Sequence, residues 1–394
     1  MRKVLFFFAL FVAGFRLDAQ TFNFQNLANM NLQLGATSCA ADSINLYLTG
    51  GFTPSTGFTT QIEKYDIVAN SWSIFTNALV PKRFCNSAIV GNNLYIFNGN
   101  LSSGYNTKTE VVDLGTGAVT YSTDNPVPVS NGGAAVWNQD IYVFGGSTAP
   151  GVYSIKLYKF STTNQTWTPL ADMLEAKETK GEIINGILYV IGGYHGADAR
   201  SIDKYDIAAN TWSNLMTMPD SVSDHSTAVY GSKIYILGDY NQLTHFSCYD
   251  VSTNTYSAIT EANWIGRRNA GAAMVNGKLY SAGGNTSGSS ASALSSTQMV
   301  NLLSVGIETF KMSRIRIYPN PVSDKLTLDF GKDVSSQEAS IRIMNSLGQV
   351  IFSKRIDAST ENLSLSDWAV KGFYYVQILN IKNEILGTQK IIVD

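Results

Sequence analysis

Short apolar runs that stop at a turn residue recur along the first three quarters of the chain. "INLYLTGG" ends at Gly51, "NLYIFNGN" at Asn100, "DIYVFGG" at Gly146, "ILYVIGG" at Gly193, "KIYILGD" at Asp239 and "KLYSAGG" at Gly284. Runs of this length, bounded by turn residues and rich in Tyr, Ile and Val, predict buried β-strands. A strand of small residues precedes them, as in "CNSAIV" and "GAAMV". A second marker follows the first five: "EKYD" at 63–66, "EVVD" at 110–113, "KLYKF" at 156–160, "DKYD" at 203–206 and "SCYD" at 247–250. An aromatic residue then closes each unit: Trp72, Tyr121, Trp167, Trp212 and Tyr256.

The first turn positions, Gly50, Gly99, Gly145, Gly192, Gly238 and Gly283, are separated by 49, 46, 47, 46 and 45 residues. Each period therefore predicts four short strands joined by turns. One such unit cannot bury both faces of its sheet, whereas radial stacking buries them and leaves only short edges. Six markers imply six blades. The sixth has "TQMVNL" from 297 as its third strand and no aromatic fourth strand after it. "FNFQNLANMNLQ" at 22–33 resembles "TWSNLMTMPDS" at 211–221 in its spacing before the next unit. Phe22 or Phe24 then fills the vacant aromatic slot, and the N-terminal strand completes the last blade.

The double glycine, Tyr-Asp pair and Trp at one period resemble the kelch family over roughly residues 22–304. The resemblance implies a six-bladed β-propeller. Departures are local: Gly99-Asn100 with Tyr121 in unit two, and Gly238-Asp239 with Tyr256 in unit five.

From about residue 305 the period stops. "IRIYPNPVSDKLTLDF", "ASIRIMN", "GQVIFSKRI", "ENLSLSDW", "GFYYVQILN" and "GTQKIIVD" predict about seven strands in a small antiparallel β-sandwich. "YPNP" at 318–321, "NSLGQVI" at 345–351, "KGFYYVQI" at 371–378 and the final "QKIIVD" resemble the C-terminal sorting domain of the Bacteroidetes type IX secretion system. That resemblance implies a partnership with the secretion machinery through residues 305–394. It also implies delivery to the outer-membrane surface or the medium. The N-terminus agrees with export. "MRK", the apolar run "VLFFFALFVAGF" and Ala19 before Gln20 read as a signal peptide over 1–19, leaving a propeller over 20–304. No transmembrane candidate follows it.

Composition narrows the function classes. Charged residues are 15% of the chain and the formal net charge is −2, which, with no polybasic run, excludes a nucleic-acid partner. Only Cys39, Cys85 and Cys248 are present, so there is no disulfide scaffold, and the expectation is buried free thiols. The glycine pairs lack the helix and Lys-Ser/Thr of a phosphate loop, and no G-x-S-x-G elbow occurs.

In a propeller, the loop leading into each first strand and the loop after each glycine pair share one face, the default binding surface. Twelve residues before each strand tyrosine lie Gly35, Arg83, Ser130, Lys177, Ser223 and Arg268, with Arg267, Asn269, Lys82, Asn86 and Glu178 close by. Three units thus aim cations at one mouth. They would bind a carboxylate or sulfate or grip hydroxyls, unless each pairs with a carboxylate or carbonyl at a blade junction. His195, His225 and His245 belong to this face or near it, about twenty residues apart and in no compact ligand motif. They read as loop histidines, and no metal or cofactor is expected.

Two enzyme classes on kelch propellers serve as comparison. Copper radical oxidases have seven blades and a Tyr–Cys crosslink, for which Cys39 and Cys85 have no evident tyrosine partner. Six-bladed sialic acid mutarotases are closer, and Glu178 with Arg83 or Arg268 would supply their acid/base pair. The preferred reading is a surface module that binds a glycan or protein without catalysis. Its contacts are Arg83, Lys177, Tyr194, His195, His225, Tyr240 and Arg268. A sugar-ring isomerase of mutarotase type is the alternative.

Overall fold

The fold follows from how closely neighbouring sheets approach at the glycine pairs. In the computed structural model, the described residues are 21–302 apart from Thr56, then 316–330, 339–345, 349–356, 358–365, 369–380 and 385–394. The expected signal peptide lies outside them. The chain divides into two compact units, one up to Asn301 and one from Leu302.

The described part of the first unit contains six four-stranded antiparallel sheets. Their first strands are Ser38–Ala41, Asn86–Val90, Gly133–Trp137, Glu178–Ile184, Ser226–Tyr230 and Gly271–Val275. Each neighbours the next, and the last neighbours the first, so they form a closed, propeller-like ring. Convergence around that ring requires small side chains: a Cβ on Gly271 would stand 2.6 Å from Cys39 Cβ in the neighbouring first strand. The apolar second strands are the buried ones. All five residues of Asn45–Thr49 are buried.

The glycine pairs join sheet to sheet. Gly193 N–H donates to the Val222 carbonyl at 2.8 Å, in the loop that leads into the next sheet. Gly51 donates likewise to Lys82, Gly99 to Val129, Gly146 to Lys177 and Gly284 to Leu34, each at 2.8 Å. Gly192 and Gly193 have φ of 48° and 116°, and Cβ atoms there would meet the Val222 and Glu178 carbonyl oxygens at 2.6 and 2.1 Å. Only glycine tolerates both constraints.

The other markers are turn and seam chemistry. Asp66 Oδ1 accepts from the Val68 and Ala69 N–H groups, and Tyr65 Oη donates to Asn70 Oδ1 at 2.7 Å. Asn70 turns the chain with φ of 50°, a conformation asparagine accepts more readily than most residues. Tyr205 with Asn210 and Tyr249 with Asn254 repeat the device. Trp72 and Trp212 reach across the seams, donating from Nε1 to the Ala28 and Ala171 carbonyls.

The outer strand of the sixth sheet comes from the N-terminus. Gln25–Asn26 pairs antiparallel with Thr297–Asn301, and Thr21–Asn23 runs parallel to Thr260–Ala262. Phe22 and Phe24 pack edge-on against Phe246, and Phe24 lies 4.6 Å from Trp264 between ring centres.

The second unit has two small antiparallel sheets among its described residues. One joins Arg316–Tyr318, Lys325–Asp329 and Thr360–Ser364. The other joins Val350–Arg355, Ala339–Asn345, Gly372–Asn380 and Ile385–Val393. Leu326, Leu328 and Leu363 of the first share one core with Ile341, Ile343, Val376 and Ile378 of the second.

Replacing Phe24 by Ala removes a buried ring from the seam that closes the sixth sheet. The expected loss is about 3–4 kcal/mol. It is read as a lower urea midpoint for the tryptophan fluorescence transition of the whole chain. A midpoint within error of the parent would contradict this account of closure.

Candidate functional site

Each first strand is led in by a residue that faces its counterparts around the ring. Ala36, Phe84, Asn131, Asp224 and Asn269 occupy this place with φ between 52° and 56°, and Glu178 stands at the same position in the fourth sheet. Their backbones link neighbours directly: Phe84 N–H donates to Ala36 at 2.9 Å, Asn131 to Phe84 at 3.1 Å and Asn269 to Asp224 at 2.7 Å.

The side chains form a polar network. Asn131 Nδ2 donates to Glu178 Oε2 at 2.9 Å and to Asp224 Oδ1 at 3.0 Å. Ser147 donates to Glu178 Oε1 at 2.7 Å, and Asn269 Nδ2 to Asp224 Oδ2 at 3.0 Å. Lys180 Nζ turns to Asn131 Oδ1 and the Gly132 carbonyl. Burial raises the Glu178 carboxyl above its ordinary range despite its hydrogen bonds from Ser147 and Asn131, and the Asp224 charge adds to the rise.

This network borders a cavity of about 580 Å³. Loops of several sheets line it, contributing Phe84, Ser130, Asn131, Glu178, Tyr194, Asp198, Ser223, Asp224, Tyr240 and Asn241. A second cavity of about 390 Å³ runs between the first strands and includes Lys180, Glu182, Asn86, Cys39 and Thr227. Burial pushes the Glu182 carboxyl up to about 7, against a hydrogen bond of 2.8 Å from Thr227.

The expected site residues separate. Tyr194 and Tyr240 line the larger cavity, with 38% and 53% of their surface exposed. Arg268 lies behind Tyr240, its guanidinium carbon 3.9 Å from the ring centre and its Nη1 3.4 Å from the Tyr240 carbonyl. Arg83 sits among the rings of Phe58 and Phe84 at 5.3 and 5.2 Å. Lys177 turns inward and is wholly buried, 3.0 Å from Asp203 and 2.7 Å from Ser201. His195 rests on Glu175 at 3.1 Å. His225 is only 2% exposed, and burial lowers its imidazole to about 3.

The cations thus do not form a ring at the mouth. A lysine or arginine whose head is carried into a close-packed seam has to be met there by a carboxylate, carbonyl or aromatic face, because an unpartnered buried cation is costly. Lys82 behaves like Lys177, pairing with Glu110 inside its sheet, and Arg267 donates to the Gly283 and Ser296 carbonyls. His225 and His245 lie in loops as expected, but both are buried. Cys39 departs from the expected buried thiols, since it lines the central channel and is partly exposed, although Cys39, Cys85 and Cys248 are all free.

The positions twelve residues before the strand tyrosines reach the mouth at Ser130 and Ser223, and the residue after each carries its polar network. Asn131 and Asp224 follow the counted serines, Ser130 and Ser223, and the repeated Asn/Asp at that position is the available signal. Such residues accept the left-handed conformation that the turn imposes.

Comparisons with known proteins agree with this architecture. The family model described as the KLHDC2/KLHL20/DRC7 Kelch-repeats domain matches residues 35–239, more than half of the chain. The chain belongs to the kelch-repeat family. The secretion system C-terminal sorting domain model matches residues 316–394, and this kelch protein is exported by the type IX system to the outer-membrane surface or beyond. It is similar to Kelch-like protein 35 of Mus musculus, at 28% identity over 122 residues, 29% of this chain and 21% of that one. It is also similar to Kelch repeat and BTB domain-containing protein 2 of Ectromelia virus, at 32% identity over 85 residues, 21% and 15% of the two chains. The matches span only 21% and 15% of these relatives' lengths. A solved chain described as "Structure of YjhT" superposes with a TM-score of 0.60 at 15% identity, over 69% of this chain and 95% of that one. That likeness concerns the fold.

Two consequences of the kelch interior are measurable. Lys177→Met leaves Asp203 without its buried cation and lowers stability by about 3–5 kcal/mol, whereas the double replacement Lys177→Met, Asp203→Leu recovers most of the loss. Urea unfolding of the single and double variants distinguishes the pair from simple packing. Glu182 has a folded pKa above its unfolded value, so its contribution is present below about pH 4.5 and lost as pH rises through about 7. Glu182→Gln therefore matches the parent near pH 4 and exceeds it by on the order of 2 kcal/mol at pH 8. Parallel stability curves across that range would refute the assignment.

Proposed function

We propose that residues 20–304 work as a six-bladed kelch propeller, closed by the N-terminal strand, that binds a protein or glycan through the loop-face cavity. Residues 305–394 are the sorting β-sandwich that delivers it to the cell surface or medium. Six four-stranded sheets around one closed ring support the blade number, and two antiparallel sheets over a shared core support the sandwich. The observation that carries the binding role is the cavity of about 580 Å³ with Tyr194 and Tyr240 exposed along it. Exposed aromatic side chains around a concave, polar site on a rigid scaffold are typical recognition elements.

The isomerase alternative draws support from Glu178, a carboxyl of raised pKa beside the cavity. It lacks the expected cationic partner, because Arg83 and Arg268 are engaged with aromatic rings. Binding therefore fits better than catalysis.

Proximity crosslinking on intact cells and glycan arrays with the purified mature chain test this reading. The expected result is a saturable partner whose capture falls at least tenfold in the Tyr194→Ala, Tyr240→Ala double variant. Capture unchanged in that variant would place recognition elsewhere. Accelerated anomer exchange by proton NMR with free sugars would favour the isomerase instead.

A further inference from the structure

We propose that the loop-face cavity recognises a basic side chain, a lysine ammonium or an arginine guanidinium presented by a protein partner. The inference rests on the binding role above and specifies its chemistry. It reverses the anion preference expected from the cations in the leading loops.

Charge along the wall is the first argument. Glu178, Asp198 and Asp224 line the cavity, and no lysine, arginine or histidine does. The chain itself is nearly balanced, with 28 basic and 30 acidic residues, so the bias is local. Among the described residues none of these three carboxylates has an ion-pair partner. Their hydrogen-bond donors are neutral: Asn131 and Ser147 for Glu178, Asn131 and Asn269 for Asp224, and Asn241 for Asp198 at 2.6 Å. The nearby Lys180 ammonium is directed to Asn131 Oδ1 and the Gly132 carbonyl. Each carboxylate oxygen has a second lone pair, so acceptor capacity is left for a donor entering the cavity.

Shape is the second argument. Tyr194, Tyr240 and Phe84 give the same cavity an aromatic wall. Tyr153 supports Tyr194 edge-on at 5.9 Å, and Arg268 stacks on Tyr240 at 3.9 Å, so both rings are held in place. A lysine or arginine has the matching form: an apolar stem that lies along aromatic surface and a charged head that donates to carboxylates. A carboxylate or sulfate would meet three like charges on the wall, while the one nearby ammonium, Lys180, is already held by Asn131 and the Gly132 carbonyl. The cationic groups expected to receive it lie behind the rings or inside the seams.

A combinatorial heptapeptide array, probed with the full mature chain, tests the inference. Retained peptides are expected to share an arginine or lysine at one position, and replacing it by glutamine should weaken binding about tenfold or more. Asp224→Asn is the informative variant: it removes the charge and keeps the turn, its amide oxygen still accepting from Asn131 Nδ2 while Asn269 turns its own amide oxygen towards the new NH2. It should lose the preference for basic over neutral peptides while its melting temperature stays with the parent. Retained peptides that are acidic, or indifferent to charge, would overturn the cation inference and leave the binding role intact. Retention of basic peptides unchanged in both Asp224→Asn and Glu178→Gln would also overturn it. If no peptide is retained while a glycan or cell-surface partner is captured through Tyr194 and Tyr240, the protein-borne cation falls and the cavity's binding role stands. If neither is captured, both fall.

Discussion

One backbone contact governs the first unit: a glycine N–H of each pair meeting a carbonyl of the next sheet's leading loop. Five such bonds, all at 2.8 Å, run from Gly51, Gly99, Gly146, Gly193 and Gly284. In the fifth sheet, Gly238 makes the close approach without that bond, a Cβ there falling 1.9 Å from the Arg267 carbonyl oxygen. The contact fixes how near adjacent sheets come, and hence how many fit around the axis. It also satisfies backbone groups at a buried seam, where an orphaned amide is costly. Because the bond from Gly284 reaches Leu34, the last sheet is tied to the N-terminal segment by the same chemistry that ties its predecessors together.

That contact explains why the kelch character was so plain in the residues. A glycine at positive φ with a carbonyl where its Cβ would be is hard to replace, so the letter repeats, the exceptions being Asn98, with φ of 63°, and Asp239. The tyrosine, aspartate and tryptophan repeat for comparable reasons: each has a defined hydrogen-bond partner in a turn or across a seam, as with Tyr205 on Asn210 and Trp212 on Ala171. The sorting domain was readable for another reason. Alternation shows in its short strands, with Leu326 and Leu328 inward and Lys325 and Thr327 outward or half-buried, while the longer strands carry irregularities at Ile343/Met344 and Ile378/Leu379.

The site was readable only where it departs from the repeat. Tyr194 and Tyr240 stood out because a tyrosine follows the turn position in those two units alone. Charge was misleading. Lys177 and Arg268 occupy equivalent sequence positions, yet one ends as a buried ion and the other behind an aromatic ring. Sequence spacing locates a Cα, whereas the destination of a long cationic side chain depends on which acceptors the next sheet brings within reach. Asp203 reaches Lys177 from a third strand twenty-six residues later, a relation invisible before the sheets are assembled.

Short polar residues leave less freedom. Asn131, Asp224 and Asn269 cannot travel far from their backbone, and their backbone is fixed by the same left-handed turn. The mouth therefore takes its chemistry from the residues whose conformation the ring dictates, while the long cations that share those loops hold the seams. Separating the two roles lets the cavity wall change its charge without loosening the scaffold. It also gives the carboxylates of Glu178 and Asp224 a position set by Asn131 between them, close enough to raise the cost of ionising both. A basic group entering beside these carboxylates adds to the partial relief that the Lys180 charge already gives them, so the arrangement favours a basic ligand.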